Sequence, residues 1–211
     1  MTNPTTDWLE QVAAEIAEDP TRIVRHFPAV GRKVGREPLL EDDPQALRGS
    51  IDDVARARLV EALIDNVDAA TAARVLTDLY RHGDDAERRG VLRGLSAVDA
   101  DSAVRTADDE TTLAKAGIAL VNDALRTNDP RLVAAAMGDF SARHLPAVEW
   151  RGGVLKCLFM QIPLGAVSAL EDRRDAELKV QAQNLADERR AAGRVLSPDL
   201  TALINDQPIP A

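Results

Sequence analysis

Cysteine is almost absent from this chain: 211 residues contain one, Cys157, so no internal disulfide can form and a reducing compartment suits it. Histidine is nearly as scarce. His26, His82 and His144 lie far apart, and Cys157 has no neighbouring thiol, so the close ligand spacing of a zinc site is missing. Aromatic residues make up 3% against 45% hydrophobic overall, which leaves Leu, Val, Ala and Ile to build the core and favours packed helices over sheets. Long apolar runs are lacking too. The longest uncharged stretch, Cys157 to Leu170, is broken by Gln161 and Pro163 and is shorter than the roughly 18–20 apolar residues a spanning helix needs. Met1 to Asp7 offers neither a basic nor an apolar leader region, so a cytoplasmic protein is expected.

An excess of basic charge is missing as well. The net charge is −9; the surplus acid lies within residues 1–110, and the remainder is balanced. Nucleic acid is therefore not an expected partner, because phosphate contacts need clustered Lys and Arg on one face. One local exception stands out: Arg22, Arg25, Arg32, Lys33 and Arg36 come without an intervening acid, beside Gly31 and Gly35, whose backbone can approach an anion. This segment is a candidate surface for an anion or an acidic partner. It lacks the Gly-Lys-Ser/Thr ending of a P-loop, and no Gly-x-Ser-x-Gly elbow occurs anywhere. No cofactor motif is found, and no catalytic residue is assigned.

What the chain does have is helical periodicity. Trp8, Val12 and Ile16 repeat at helical spacing, and Asp19-Pro20 marks a new start. Ser50 to Asp53 has the spacing of a capping box, with Ile51, Val54, Ala55, Leu59, Ala62 and Leu63 as the expected buried stripe behind it. Further helices are predicted near 69–82, 85–96, 109–126, 130–143, 146–161, 173–192 and 197–205. The acidic, proline-containing stretch 37–49 reads as a long loop and 206–211 as a flexible tail. Acid pairs at Asp84-Asp85 and Asp108-Asp109 fall at expected helix starts, where carboxylates stabilise exposed amides.

Helices of this length with short joints predict one all-α domain over 1–211, built as irregular stacked antiparallel helical hairpins, a HEAT-like α-solenoid; a globular orthogonal bundle is the alternative. A faint internal echo, Glu87 to Leu95 against Glu149 to Leu158 with one insertion, supports stacking, although no strict period is present.

Two charges fall on otherwise apolar helix faces. Lys156 is the only charge between Arg151 and Glu171, and an unpaired buried ammonium costs several kcal/mol. Arg189 lies on the stripe Leu178, Ala182, Leu185, Arg189, Ala192, where a planar donor fork is expected to meet a carboxylate, carbonyls or an anionic ligand. A buried network among Lys156, Asp172, Arg173, Glu188 and Arg189 is the first expectation. A ligand pocket is the second, with Arg174, Arg126 and Asn128 as further candidate binding residues. Trp150 and Cys157 are expected in the core.

In order along the chain, Phe27-Pro28-Ala29-Val30-Gly31-Arg32-Lys33-Val34-Gly35-Arg36, Arg126-Thr127-Asn128-Asp129, Lys156-Cys157-Leu158-Phe159-Met160 with Pro163-Leu164, Leu170-Glu171-Asp172-Arg173-Arg174 and Asp187-Glu188-Arg189-Arg190-Ala191-Ala192-Gly193-Arg194 resemble the EboA family, from about residue 8 to about residue 205. The resemblance implies a bacterial protein encoded beside a prenyltransferase-like membrane enzyme, a sugar-isomerase-like barrel protein, a metal-dependent hydrolase-like protein and a dehydroquinate-synthase-like enzyme, in a cluster that makes or exports a small metabolite. It implies no activity for this protein. The expected role is a non-catalytic scaffold that contacts those cluster proteins, reaching the membrane only through a partner. The alternative is a protein, binding or enzymatic, that takes a small anionic metabolite into a C-terminal pocket. The chain departs from the family where many members carry an aromatic, here Arg190, and where they carry a tryptophan in the last helix, here Leu200-Thr201-Ala202-Leu203. Weaker docking of that helix is the expectation.

Overall fold

A computed structural model describes residues 4–100 and 107–209, with side chains from Thr6 to Val98 and from Thr111 to Ile209. The chain is all-α. Helix α1 (Pro4–Glu18) is followed by a helical segment, α2 (Ile23–His26) and α3 (Val30–Val34), broken by a 3-10 turn at Phe27–Ala29, where Pro28 supplies no N–H. After a loop come α4 (Ile51–Ile64), α5 (Ala69–His82), α6 (Asp85–Ala100) and α7 (Ala107–Ala124). The last third holds α8 (Pro130–Ala136), α9 (Asp139–His144), α10 (Ala147–Met160), α11 (Leu170–Arg173), α12 (Ala176–Ala191) and α13 (Pro198–Ile204).

Helices alternate between two layers, α4 packing chiefly on α6 and α5 on α7, with α1 on the far side of α4 and α8 and α9 on α6. This packing is consistent with either a solenoid or a bundle. The expected helix at 130–143 splits at Met137 and Gly138, where Gly138 is extended; the chain there runs close to α6, since a Cβ on Gly138 would overlap the Ser96 side chain, and Phe140 N–H donates to Ser96 Oγ at 3.3 Å. The predicted 173–192 helix begins later, at Ala176, capped by Asp175, whose carboxylate accepts from Leu178 N at 2.9 Å. Among the expected caps, Asp84 accepts from Glu87 N at 2.9 Å, while the side chains of Asp108 and Asp109 lie outside the described residues.

The 37–49 loop is tied at its base. Leu39 N donates to Gly49 O at 3.1 Å and Ile51 N to Glu37 O at 3.0 Å, while the buried Asp43 carboxylate accepts from Leu47 N at 3.0 Å and Arg48 N at 2.6 Å. The tail expected at 206–211 is held as far as it is described: Lys179 pairs with Asp206, Arg174 donates to Gln207 O at 3.1 Å, and Ile209 packs against the core. Helix α13 docks through Leu200 and Leu203, 1% and 2% exposed, so the weak docking expected for a terminal helix without tryptophan does not occur. Two leucines and Ile204 supply that apolar contact on α12.

The first turn of α4 differs from its predicted stripe. Ile51 and Val54 are 39% and 54% exposed, whereas Asp52, Asp53 and Arg56 are buried. Asp52 accepts from Arg56 Nη1 at 2.5 Å and from the Ser50 hydroxyl at 2.6 Å; Asp53 accepts from Ser50 N–H at 3.2 Å and faces Arg89 Nη2 of α6 at 3.3 Å. The Arg56 guanidinium also lies over the Phe27 ring, 5.6 Å from its centroid. Helix α6 makes room with glycines: a Cβ on Gly90 would overlap the Arg56 stem and one on Gly94 would overlap Val60.

Burial alone would raise the Asp52 pKa, but the Ser50 hydroxyl and the Arg56 guanidinium outweigh it and hold the carboxyl below its ordinary value. That contribution to stability is fully present above the unfolded pKa and is lost as pH falls through the depressed folded value, so acid destabilisation should set in below about pH 4. Arg56→Met alone strands Asp52 and should cost about 3–5 kcal/mol, whereas Asp52→Leu/Arg56→Met should cost less than the single change and flatten the acid limb. Urea unfolding of the three proteins between pH 3 and pH 7 checks this; equal losses in the single and double variants would contradict it.

Candidate functional site

The C-terminal candidate residues lie on α10 and α12. Helix α10 ends where Gln161 adopts the left-handed conformation (φ 60°), letting Ile162 N–H return to Cys157 O at 2.9 Å. Its inner face buries Trp150, Val154, Cys157 and Leu158, and its outer face carries Gly152, Leu155, Lys156 and Phe159. Opposite stand Gln181, Asn184, Leu185 and Glu188 of α12, enclosing an open groove of about 530 Å³. Arg151 Nη1 donates to Asp175 at 2.6 Å and ties the two helix starts together.

Lys156 is half-buried on this groove and donates to Asn128 Oδ1 at 3.2 Å. No carboxylate among the described residues lies within 4 Å of its ammonium. Glu188 is exposed on the opposite lip, and Phe159 is 63% exposed between them. A cation, a carboxylate and an apolar floor of Leu155, Phe159 and Leu185 can hold an amphipathic molecule. They do not form a nucleophile–base pair. Cys157 lies behind the groove, fully buried, its thiol pushed up to about 12 by burial and therefore not available as a thiolate.

The expected network among Lys156, Asp172, Arg173, Glu188 and Arg189 does not form. Arg189, 7% exposed, donates through Nη2 to Leu158 O at 3.0 Å and Phe159 O at 3.1 Å, the carbonyls at the end of α10. Arg173 gathers Ser141 O at 3.0 Å, Ala142 O at 2.6 Å and Leu145 O at 2.9 Å at the end of α9, and stacks over buried Trp150 at 4.8 Å. Each guanidinium thus donates to carbonyls at the end of a helix, where the dipole also favours a cation; Ser141 O and Leu158 O accept a backbone N–H as well, from Leu145 and Gln161. Asp172 is exposed, and Arg174 pairs with Glu171 at 2.9 Å. Arg126 lies elsewhere, in a pocket with Arg81 and Arg88.

The basic N-terminal segment divides in the same way. Arg22 contacts Glu15 and Asp19, each at 3.5 Å, whereas Arg25, Arg32, Lys33 and Arg36 are exposed and none forms an ion pair among the described residues. The two glycines offer no free backbone nest: a Cβ on Gly31 would overlap Arg36, and one on Gly35 (φ 95°) would overlap the Glu37 carboxylate. Sequence reasoning missed the buried charges of α4 and α6, although Asp52 and Arg56 stand at the i, i+4 spacing of a helical ion pair. It also missed Tyr80, Arg81, Arg88 and Asp123, which gather only when α5, α6 and α7 pack.

Among the described residues no group of three His, Cys, Asp or Glu side chains stands close enough to hold a metal ion, and no helix is long and apolar enough to cross a membrane. Residues 1–205 match a family described as metabolite traffic protein EboA. No curated protein and no solved structure matches the chain.

If Arg189 serves α10, then Arg189→Leu removes two charged hydrogen bonds at its end, leaving Leu158 O with Gln161 N–H alone, and should lower stability by about 1–3 kcal/mol. Thermal unfolding measures this directly. An unchanged melting temperature would show that the guanidinium is free for another task.

Proposed function

The chain belongs to the EboA family, and we propose that it binds a small metabolite in the α10–α12 groove and carries it without transforming it. The single observation behind this reading is Lys156, a half-buried ammonium on the groove that is held by one amide oxygen and no carboxylate among the described residues. Two of its three donors are left for an anionic group, while Leu155, Phe159 and Leu185 take an apolar body. The site residues are then Lys156, Asn128 and Glu188, with Arg173 and Arg189 as the struts that fix the ends of α9 and α10. A carrier in the cytoplasm would present its cargo to an enzyme that acts on it.

Lys156→Met should change stability by no more than about 0.5 kcal/mol, because the ammonium makes one hydrogen bond to an exposed amide. The same variant should lose the small molecules that co-purify with the wild type from a host expressing the gene cluster, as read by native mass spectrometry. Equal retention by a stable Lys156→Met protein would remove Lys156 from the site.

A second reading, a scaffold for the cluster's enzymes, is favoured by Arg25, Arg32, Lys33 and Arg36, four exposed cations without ion-pair partners among the described residues, on an acidic protein. Such a patch steers an acidic surface into contact. The folded wild type should capture at least one cluster protein in a pulldown, and Arg25→Glu/Arg32→Glu/Arg36→Glu should release it. Capture of none by the wild type sinks the scaffold reading.

A further inference from the structure

A second pocket, of about 550 Å³, opens between α5 and α7 at the start of α6, remote in sequence from the α10–α12 groove. Three guanidinium-bearing residues line it, Arg81 from α5, Arg88 from α6 and Arg126 just past α7, against one carboxylate, Asp123. That carboxylate is already engaged: Arg88 Nη2 donates to Asp123 Oδ2 at 2.6 Å, and the Tyr80 hydroxyl donates to the same oxygen at 3.0 Å. Arg88 Nη2 also reaches the Tyr80 oxygen at 3.1 Å, and its guanidinium lies over the Tyr80 ring, 4.5 Å from the centroid. Tyr80 is 2% exposed, and burial holds its phenol well above the ordinary value, so it remains a proton donor to Asp123 at neutral pH.

This leaves Arg81 and Arg126 as cations with no ion-pair partner among the described residues, in one pocket with the hydrogen-bonded Arg88–Tyr80–Asp123 cluster. Arg88 Nε, buried, has no hydrogen-bond partner. A concave site with a surplus of two positive charges is out of keeping with a protein of net charge −9. Low-dielectric walls focus such a field inside a cleft, and guanidinium forks match phosphate oxygens two at a time. The remaining wall is small: Ala116 and Ala119 of α7 leave space for a compact body beside the charge. The volume falls in the range of small-molecule sites.

We propose that the α5–α7 pocket binds a small phosphomonoester, with Arg81 and Arg126 gripping the phosphate and Arg88 held ready behind them by Tyr80 and Asp123. The site is independent of the α10–α12 groove and does not rest on the carrier reading.

Phenyl phosphate is a suitable probe, titrated by calorimetry at low salt with benzoate as the carboxylate of similar body. The wild type should bind phenyl phosphate saturably, at least tenfold tighter than benzoate, and the affinity should fall as sodium chloride is raised. Arg81→Gln/Arg126→Gln should weaken binding tenfold or more with an unchanged melting temperature, since neither side chain supports the fold. Ala119→Glu, which adds an anion at an exposed wall position without touching the arginines, should do the same. Lys156→Met should bind as the wild type does, which separates this site from the groove. Absence of saturable binding by the wild type, equal affinity for benzoate, or wild-type affinity in both pocket variants would overturn the proposal.

Discussion

Two carboxylates and two guanidiniums sit where water does not reach, between α4 and α6, and their pairing sets how the other helices are arranged. Desolvating four charges costs several kcal/mol each before any attraction is counted; Arg56 answers Asp52 from within α4, one turn on, so the placement of α4 against α6 is set by the one pair that crosses between them, Arg89 on Asp53. Apolar side chains alone would permit sliding; this pairing does not. Gly90 and Gly94 are the complement on α6, since any side chain there would push against Arg56 or Val60. Because α4 also carries α1 and α3, and α6 carries α8 and α9, a register fixed at one contact propagates into both ends of the array.

The helices themselves were largely legible, because alternation between apolar faces and capping residues is a local signal. Trp8, Val12 and Ile16 face inward, Ser50 and Asp53 cap α4, and Leu178, Ala182 and Arg189 share a buried stripe. Two of the failures are non-local. Ile51 and Val54 read as core because they are apolar, but the partner that decides which face is buried, Arg89, is more than thirty residues away. The break at Gly138 runs against Ser96, which no window around residue 138 contains.

The same division runs through the candidate sites. That Arg189 enters an interface was readable from its place on the α12 stripe; that it would meet carbonyls instead of a carboxylate was not, because the acceptors belong to the last turn of another helix. Of the residues that sequence grouped together, Arg173 holds the end of α9 and Asp172 is exposed, while Lys156 and Glu188 line the groove. Arg126 lines the α5–α7 pocket, whereas Asn128, two residues on, accepts from Lys156 of α10. What a charged residue can do for a ligand is set by what the backbone leaves unsatisfied nearby, and that is a property of packing.

Cys157 carries a consequence of its own. Its sulfur lies on the buried inner face of α10, in the layer of helices behind the groove, so no reagent in solution can reach it while that layer stays closed. As the only cysteine in the chain, it gives the protein a single chemical clock: the rate at which a thiol label is taken up counts how often that layer comes apart. A molecule lodged between α10 and α12 would slow the clock in proportion to how firmly it binds, with no label on the molecule itself and no knowledge of its structure.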